Sequence, residues 1–313
     1  MLAYAAKRFA LALPTLFLVS LIVFGVMRLI PGDPAALILG DAADPETLAA
    51  LREQLGLNQP LAVQFFDWIS RLLGGDWGTS LTNDEPVLPT IIERFSFTVT
   101  LVLPVFAIAL CLALPAGLLA ARKYGSRFDS IVTVAAIVSL SVPGFWVALL
   151  LILVFGVELG WLPTVGYVTV DDNWTTQVRY LILPAAALLI VETGQLLRMM
   201  RASSLEVLEA EYIMHARAKG LPETRVAWRH AFPNALAPTL TLAGMLLGSL
   251  LGGAAVIETV FALPGLGRLL VDSVFQRDYP VVQGVLLLVA TLQIAMNLLV
   301  DLLHPVLDPR VRL

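Results

Sequence analysis

The chain has 313 residues, of which 58% are hydrophobic and 14% charged, and its mean hydropathy is +0.84. A soluble domain carries about 25% charged residues, so there are too few charges here to cover a water-facing surface, and several membrane crossings are expected. The single cysteine, Cys111, cannot form an internal disulfide, His215, His230 and His304 are scattered singly and make no metal site, and a formal charge of -4 does not suit nucleic acid.

A helix needs about 20 apolar residues to cross ~30 Å of hydrocarbon, where the backbone finds no other hydrogen-bond partner. Six segments qualify: 9–30, 97–121, 131–157, 180–197, 237–257 and 281–300. The first follows Lys7 and Arg8. It is too long for the apolar core of a secretory signal and no small-x-small cleavage site follows it, so it is expected to be a retained anchor. Basic residues stay on the cytoplasmic side. The clusters Lys7–Arg8, Arg122 to Arg127, Arg198 to Arg229 and Arg310 with Arg312 then place both ends and two loops inside.

The outer segment 31–96 is long enough to fold. Asp44 as cap, Pro45 at the first helical position and Leu48, Leu51 and Leu55 at helical spacing predict one helix. A second is predicted over 61–73, closed by Gly74-Gly75. Acids, from Asp33 and Asp41 to Glu93, outnumber Arg52, Arg71 and Arg94. That surface suits either a soluble partner or a solvated cap.

Prolines 14, 104, 115, 143, 184 and 238 fall within the spans and are expected to kink them. Glu192 is the acid well inside a span, where a charge costs about 3 kcal/mol on insertion scales. It either lines a path with Gln195 or is structural, paired with Arg198 or protonated and hydrogen-bonded. Gln283, Gln293 and Asn297 likewise either line a path or join helices.

Residues 201–236 make a cytoplasmic loop far longer than a connector needs. Ser203 and Glu206 have capping-box spacing and predict a helix start, with Leu205, Leu208, Tyr212, Ile213 and Ala216 on one face. Gly220 supplies the left-handed C-cap, and Pro222 opens a second helix, with Glu223 in its first turn, that runs toward Phe232 before Pro233. The bend is suited to another protein's groove, or else its amphipathic helix lies on the bilayer.

The segment EYIMHARAKGLPETRVAWRHAFPNALAP, residues 211–238, resembles the EAA loop of ATP-binding-cassette (ABC) importer permeases, in its dipeptide and oligopeptide version. ARAKG at 216–220 is the specific part. The family's triad is replaced by Met214-His215-Ala216. FGVMRLIPGDPA at 24–35, GGDWGTSL at 74–81, SLSVPGFWVALLL at 139–151, GWLPTVGY at 160–167 and ETVFALPGLGRLL at 258–270 are similar to B-type peptide permeases, so the likeness covers nearly the whole chain.

The resemblance implies an all-α, six-helix membrane fold of the type I ABC importer kind. Its parts are an N-terminal tail and first span (1–30), an extracytoplasmic helical loop (31–96) and a five-helix core (97–313) that carries the coupling loop 201–236. It implies that Glu211, Ala216, Arg217, Ala218, Lys219, Gly220, Leu221, Pro222 and Pro233 form the surface that couples to an ATPase. The implied function is peptide import across the bacterial inner membrane, or import of glutathione or nickel complexes. The implied partners are a homologous C-type permease, two ATP-binding subunits and an extracytoplasmic substrate-binding protein.

The residues themselves point the same way on energy supply. A P-loop needs lysine after glycine, and Lys7, Lys123 and Lys219 each follow another residue type. ATP and Mg are therefore expected on partner subunits, with no cofactor in this chain. An ion-coupled secondary transporter would want paired ionisable groups at the midplane. An intramembrane enzyme would need a base beside Ser139 or Ser141, and no span holds a histidine.

Overall fold

The computed structural model describes residues 2–29, 34–39, 44–54, 56–167 and 174–307. Asp33, Asp41, Leu55, Arg310, Arg312 and part of FGVMRLIPGDPA lie outside them. The described chain is helical, and five of its helices are long and apolar enough to cross a membrane; a bent pair makes a sixth if counted as one span.

Helix α1 (Leu2–Leu29) is followed by α2 (Pro34–Leu39), α3 (Pro45–Gln54) and α4 (Leu61–Leu73) in the outer segment. α4 has its predicted bounds because Gly75, at φ 85°, takes the left-handed conformation that ends it. α5 (Val87–Arg122) starts well before the predicted span. Its first turns are buried in protein: Val87 and Ile91 pack against Leu266, Val281 and Val285.

The third expected span is not straight. α6 (Arg127–Ser141) and α7 (Gly144–Leu151), which continues as a π-helical stretch through Glu158, meet at 99°. Proline disfavours helical backbone at its predecessor, and here Val142 and Pro143 both adopt extended ψ, 126° and 136°. Pro14, Pro104, Pro115, Pro184 and Pro238 lie inside continuous helices.

α8 (Trp174–Leu208) runs well past its predicted end. The capping-box pair Ser203 and Glu206 therefore lies inside a helix and starts none. Ser204 is fully buried and Ser203 nearly so, which shows that packing decided the conformation there. The break comes later, before α9 (Glu211–Ala218). α10 (Glu223–Arg225) then passes through a π-helical stretch, Val226–Ala231, into α11 (Phe232–Leu251). The second helix does not end before Pro233, because a proline in the first turn removes a donor that has no partner there. α11 stops at Gly252, short of the predicted 257. α12 (Ala255–Val260) and α13 (Leu266–Gln276) then form a hairpin before α14 (Tyr279–Leu307).

The core is built on α5 against α8. At Gly117 an added Cβ would stand 2.8 Å from the Met200 Cβ and 3.0 Å from the backbone of Leu197 and Arg201, so the two helices touch at the backbone. Gly194 of α8 leaves the same kind of room for Ser139 of α6. Such small residues let membrane helices approach closely, which is where their packing energy arises. Next to these contacts Arg201 grips buried Asp129 with two bonds, Nε to Oδ1 at 2.6 Å and Nη2 to Oδ2 at 2.9 Å, and the Gly125 N–H donates to the same carboxylate. The turn between α5 and α6 is thereby tied to α8.

At the opposite end buried Glu258 accepts from the Thr98 hydroxyl at 2.7 Å and from the Arg268 N–H at 3.0 Å, while Thr98 Oγ1 accepts from the Leu266 N–H at 2.9 Å. The start of α13 is thus held on α5. Asp278 accepts from the Ser80 hydroxyl and from the Leu81 N–H, clamping the outer segment to the start of α14.

Breaking a buried pair leaves one charge uncompensated, at a cost of about 3–5 kcal/mol. Asp129→Ala is expected to lower the unfolding temperature of the detergent-solubilised protein markedly, and adding Arg201→Met should restore part of the loss.

Candidate functional site

The elbow between α8 and α11 is fastened by its apolar face. Ile213 and Ala216 of α9, Val226, Ala227 and Ala231 of the π-helical stretch and Ala235 of α11 bury themselves against Leu118 and Ala121 of α5 and Met200 and Leu208 of α8. The predicted apolar face is real although a helix break divides it: Leu205 and Leu208 end α8, and Ile213 and Ala216 begin again on α9. Tyr212, assigned to that face, is exposed.

Gly220 has φ 76°, and its N–H bonds the Arg217 carbonyl at 2.9 Å. Nothing lies within 4 Å of a Cβ added there. The position therefore demands glycine for its backbone and not for space; a left-handed conformation costs other L-residues about 1–2 kcal/mol. The Leu221 N–H reaches the Ala216 carbonyl at 3.4 Å, completing the reversal, and Pro222, in extended conformation, starts α10.

Arg217 braces the bend. Its Nε donates to Glu223 Oε1 at 2.8 Å across the turn, and its Nη1 donates to the Leu208 carbonyl at 3.2 Å at the end of α8. One side chain thus joins three helices.

The structure brings most of the predicted site residues together. Arg217, Ala218, Lys219, Gly220 and Pro222 form one exposed ridge, Glu211 is exposed at the start of α9, and Leu221 is half-buried. Ala216 is buried and supports the ridge from beneath, and Pro233 lies away from the turn in the first turn of α11. Sequence reasoning passed over two exposed apolar side chains here: Met214, 53% exposed, and Trp228, 43% exposed and 5.4 Å from the Phe232 ring. Their signal was a helical position off the buried face. Aromatic and methionine side chains are enriched where partner proteins bind.

Glu192 is 6% exposed, and among the described residues its Oε2 has no hydrogen-bond partner and no ion pair joins it to Arg198. Six residues turn a helix through about 600°, which aims the two side chains apart. Gln195 is half-buried on the same helix. Gln293 joins helices: its side chain lies against Gly248 of α11. Among the described residues no group of three or more His, Cys, Asp or Glu is placed to hold a metal.

Truncating a buried isoleucine costs about 2–5 kcal/mol. Ile213→Ala is expected to loosen the elbow and speed tryptic cleavage at Arg217 and Lys219, whereas Met214→Ala, on the exposed side, should leave the cleavage rate unchanged.

Comparison with known proteins agrees with this architecture. Residues 113–313 match the binding-protein-dependent transport system inner membrane component family, and residues 1–102 match the N-terminal component of the same systems. A putative peptide transport system permease protein of Brucella abortus is 46% identical over 312 residues, covering 100% of this chain and 99% of the relative. The glutathione transport system permease protein of Escherichia coli is 43% identical with the same coverage. The di/tripeptide transport system permease protein of Pseudomonas aeruginosa is 40% identical over 333 residues, again covering 100% and 99%. The chain belongs to the binding-protein-dependent inner membrane components: it is a permease of an ABC importer.

Proposed function

We propose that this chain is the B-type permease of a peptide importer, driven by ATP hydrolysed on separate subunits, and that the elbow at Gly220 is where an ATP-binding subunit docks. The observation that carries the coupling role is the construction of the elbow. It has an exposed ridge of small and basic residues around Gly220, an apolar underside fixed to α5 and α8, and direct continuity into α11. A force on the ridge passes to the spans through packed side chains and covalent helix.

Peptides are the favoured cargo because relatives from Brucella and Pseudomonas carry peptide and di/tripeptide names over their full length. The glutathione permease relative favours glutathione as the second reading, within the same chemical class. A homologous C-type permease, two ATP-binding subunits and an extracytoplasmic binding protein complete the assembly. ATP and Mg belong to those partners, and this chain performs no catalysis. It lies in the cytoplasmic membrane with both termini and the elbow inside, since the basic clusters Arg122 to Arg127 and Arg198 to Arg229 gather at one end. The segment 31–96 then faces the binding protein, residues 97–313 form the permease core and 201–236 the coupling loop. Glu192 and Gln195 are the path-lining candidates.

In the assembled importer, Gly220→Val is expected to abolish substrate-stimulated ATPase activity while membrane insertion is normal. Gly220→Asn should keep most of it, because asparagine tolerates left-handed backbone. Normal coupling in Gly220→Val would refute the docking role.

A further inference from the structure

α4 does not lie flush on α1. Phe65 sets its ring edge-on against Phe17 and Phe24, at centroid distances of 5.7 and 5.5 Å, and beside this contact the two helices enclose a groove of about 940 Å³. Its lining is aromatic and aliphatic side chains with Asn58 and Gln64, Arg28 of α1 and Arg52 of α3, and among the described residues no acid. The Arg28 guanidinium lies 5.2 Å over the Phe24 ring, and no carboxylate among the described residues pairs with it.

The order of these groups along α1 carries the inference. Phe17, Leu21, Phe24 and Arg28 follow one another on one side of the helix and all line the groove. At about 1.5 Å per residue, Phe17 to Arg28 spans roughly 16 Å, about half of a ~30 Å hydrocarbon core. The groove is therefore one leaflet deep. It is apolar toward the bilayer centre and cationic where α1 leaves the hydrocarbon. α4 is amphipathic, with Phe65 buried and Leu61, Phe66 and Leu73 exposed, as suits a helix lying in the interface.

We propose that this groove binds one anionic phospholipid, with its acyl chains along Phe17, Leu21 and Phe24 and its phosphate at Arg28 with Arg52. A peptide would bring an ammonium group to a lining whose described residues hold two arginines and no carboxylate. A lipid has the matching sequence of apolar chain and anionic head at the matching depth. Bound there, it fills the space between α1 and α4 and fixes the outer segment on the first span.

The test is native mass spectrometry of the importer released from bilayers of equal phosphatidylglycerol and phosphatidylcholine. The wild type should retain phosphatidylglycerol preferentially. An arginine near the headgroups contributes roughly a fivefold preference for anionic lipid, so Arg28→Gln is expected to lower that preference about fivefold. Ala62→Trp, which fills the groove and leaves both arginines in place, should abolish retention, with assembly of the complex checked in the same spectra. Equal retention of the two lipids, a preference unchanged in Arg28→Gln, or retention undiminished in Ala62→Trp would overturn the proposal. So would a cross-link from a cysteine at Leu21 to a partner subunit, which would show that protein covers the groove.

Discussion

The close approach of α5 and α8 is the contact on which the rest depends. It exists because Gly117 presents no side chain to Met200 and Arg201, so the helices meet backbone to backbone. Lipid is as apolar as leucine, so membrane helices gain little from hiding hydrophobic surface from one another and must gain from packing. The adjoining Asp129–Arg201 pair ties the turn after α5 to α8 beside that contact, and the floor on which the elbow rests is made of residues from these two helices, Leu118, Ala121, Met200 and Leu208. Loosen the contact and the elbow loses its support.

The opposite end follows a different rule. There the chain between α11 and α14 is short helices and turns, and irregular backbone at membrane depth survives only when protein satisfies it. Glu258 does this for the start of α13, and tight glycines let the pieces close: a Cβ at Gly253 would stand 2.6 Å from the Gly267 Cα. Between elbow and hairpin runs α11, 20 residues or about 30 Å of unbroken helix. A π-helical stretch precedes it and Gly252–Gly253 follows it. Under the proposed coupling, that helix joins the docking ridge to the outer end of the path.

Local signals were legible in the sequence where they had no competitor. Gly74-Gly75 ended α4 and Gly220 turned the elbow because backbone conformation alone decides such positions. Ser203 and Glu206 misled because a capping box only offers hydrogen bonds to a helix end, while tertiary packing of Met200, Ser204 and Leu208 kept the helix going. The sequence predicts only a kink at Pro143 where the structure bends by 99°, whereas prolines of the same kind at 104, 115 and 184 break nothing; what surrounds each proline decides, and that is not written locally. Glu258, Asp129 and Asp278 were invisible as clamps, since their partners lie up to 198 residues away. Trp228 and Met214 became notable only once the buried face of the elbow was known.

The central claim is that the ridge around Gly220 sits inside the cell under the grip of an ATP-binding subunit. Cross-linking tests it most directly: with Cys111 replaced by serine, a single cysteine at exposed Ala218 is treated with a bifunctional thiol reagent in membranes that contain the whole importer. The account predicts a product joining this chain to the ATP-binding subunit, and protection of the same thiol from impermeant reagent added outside intact cells. No such product, together with labelling from outside, would contradict it.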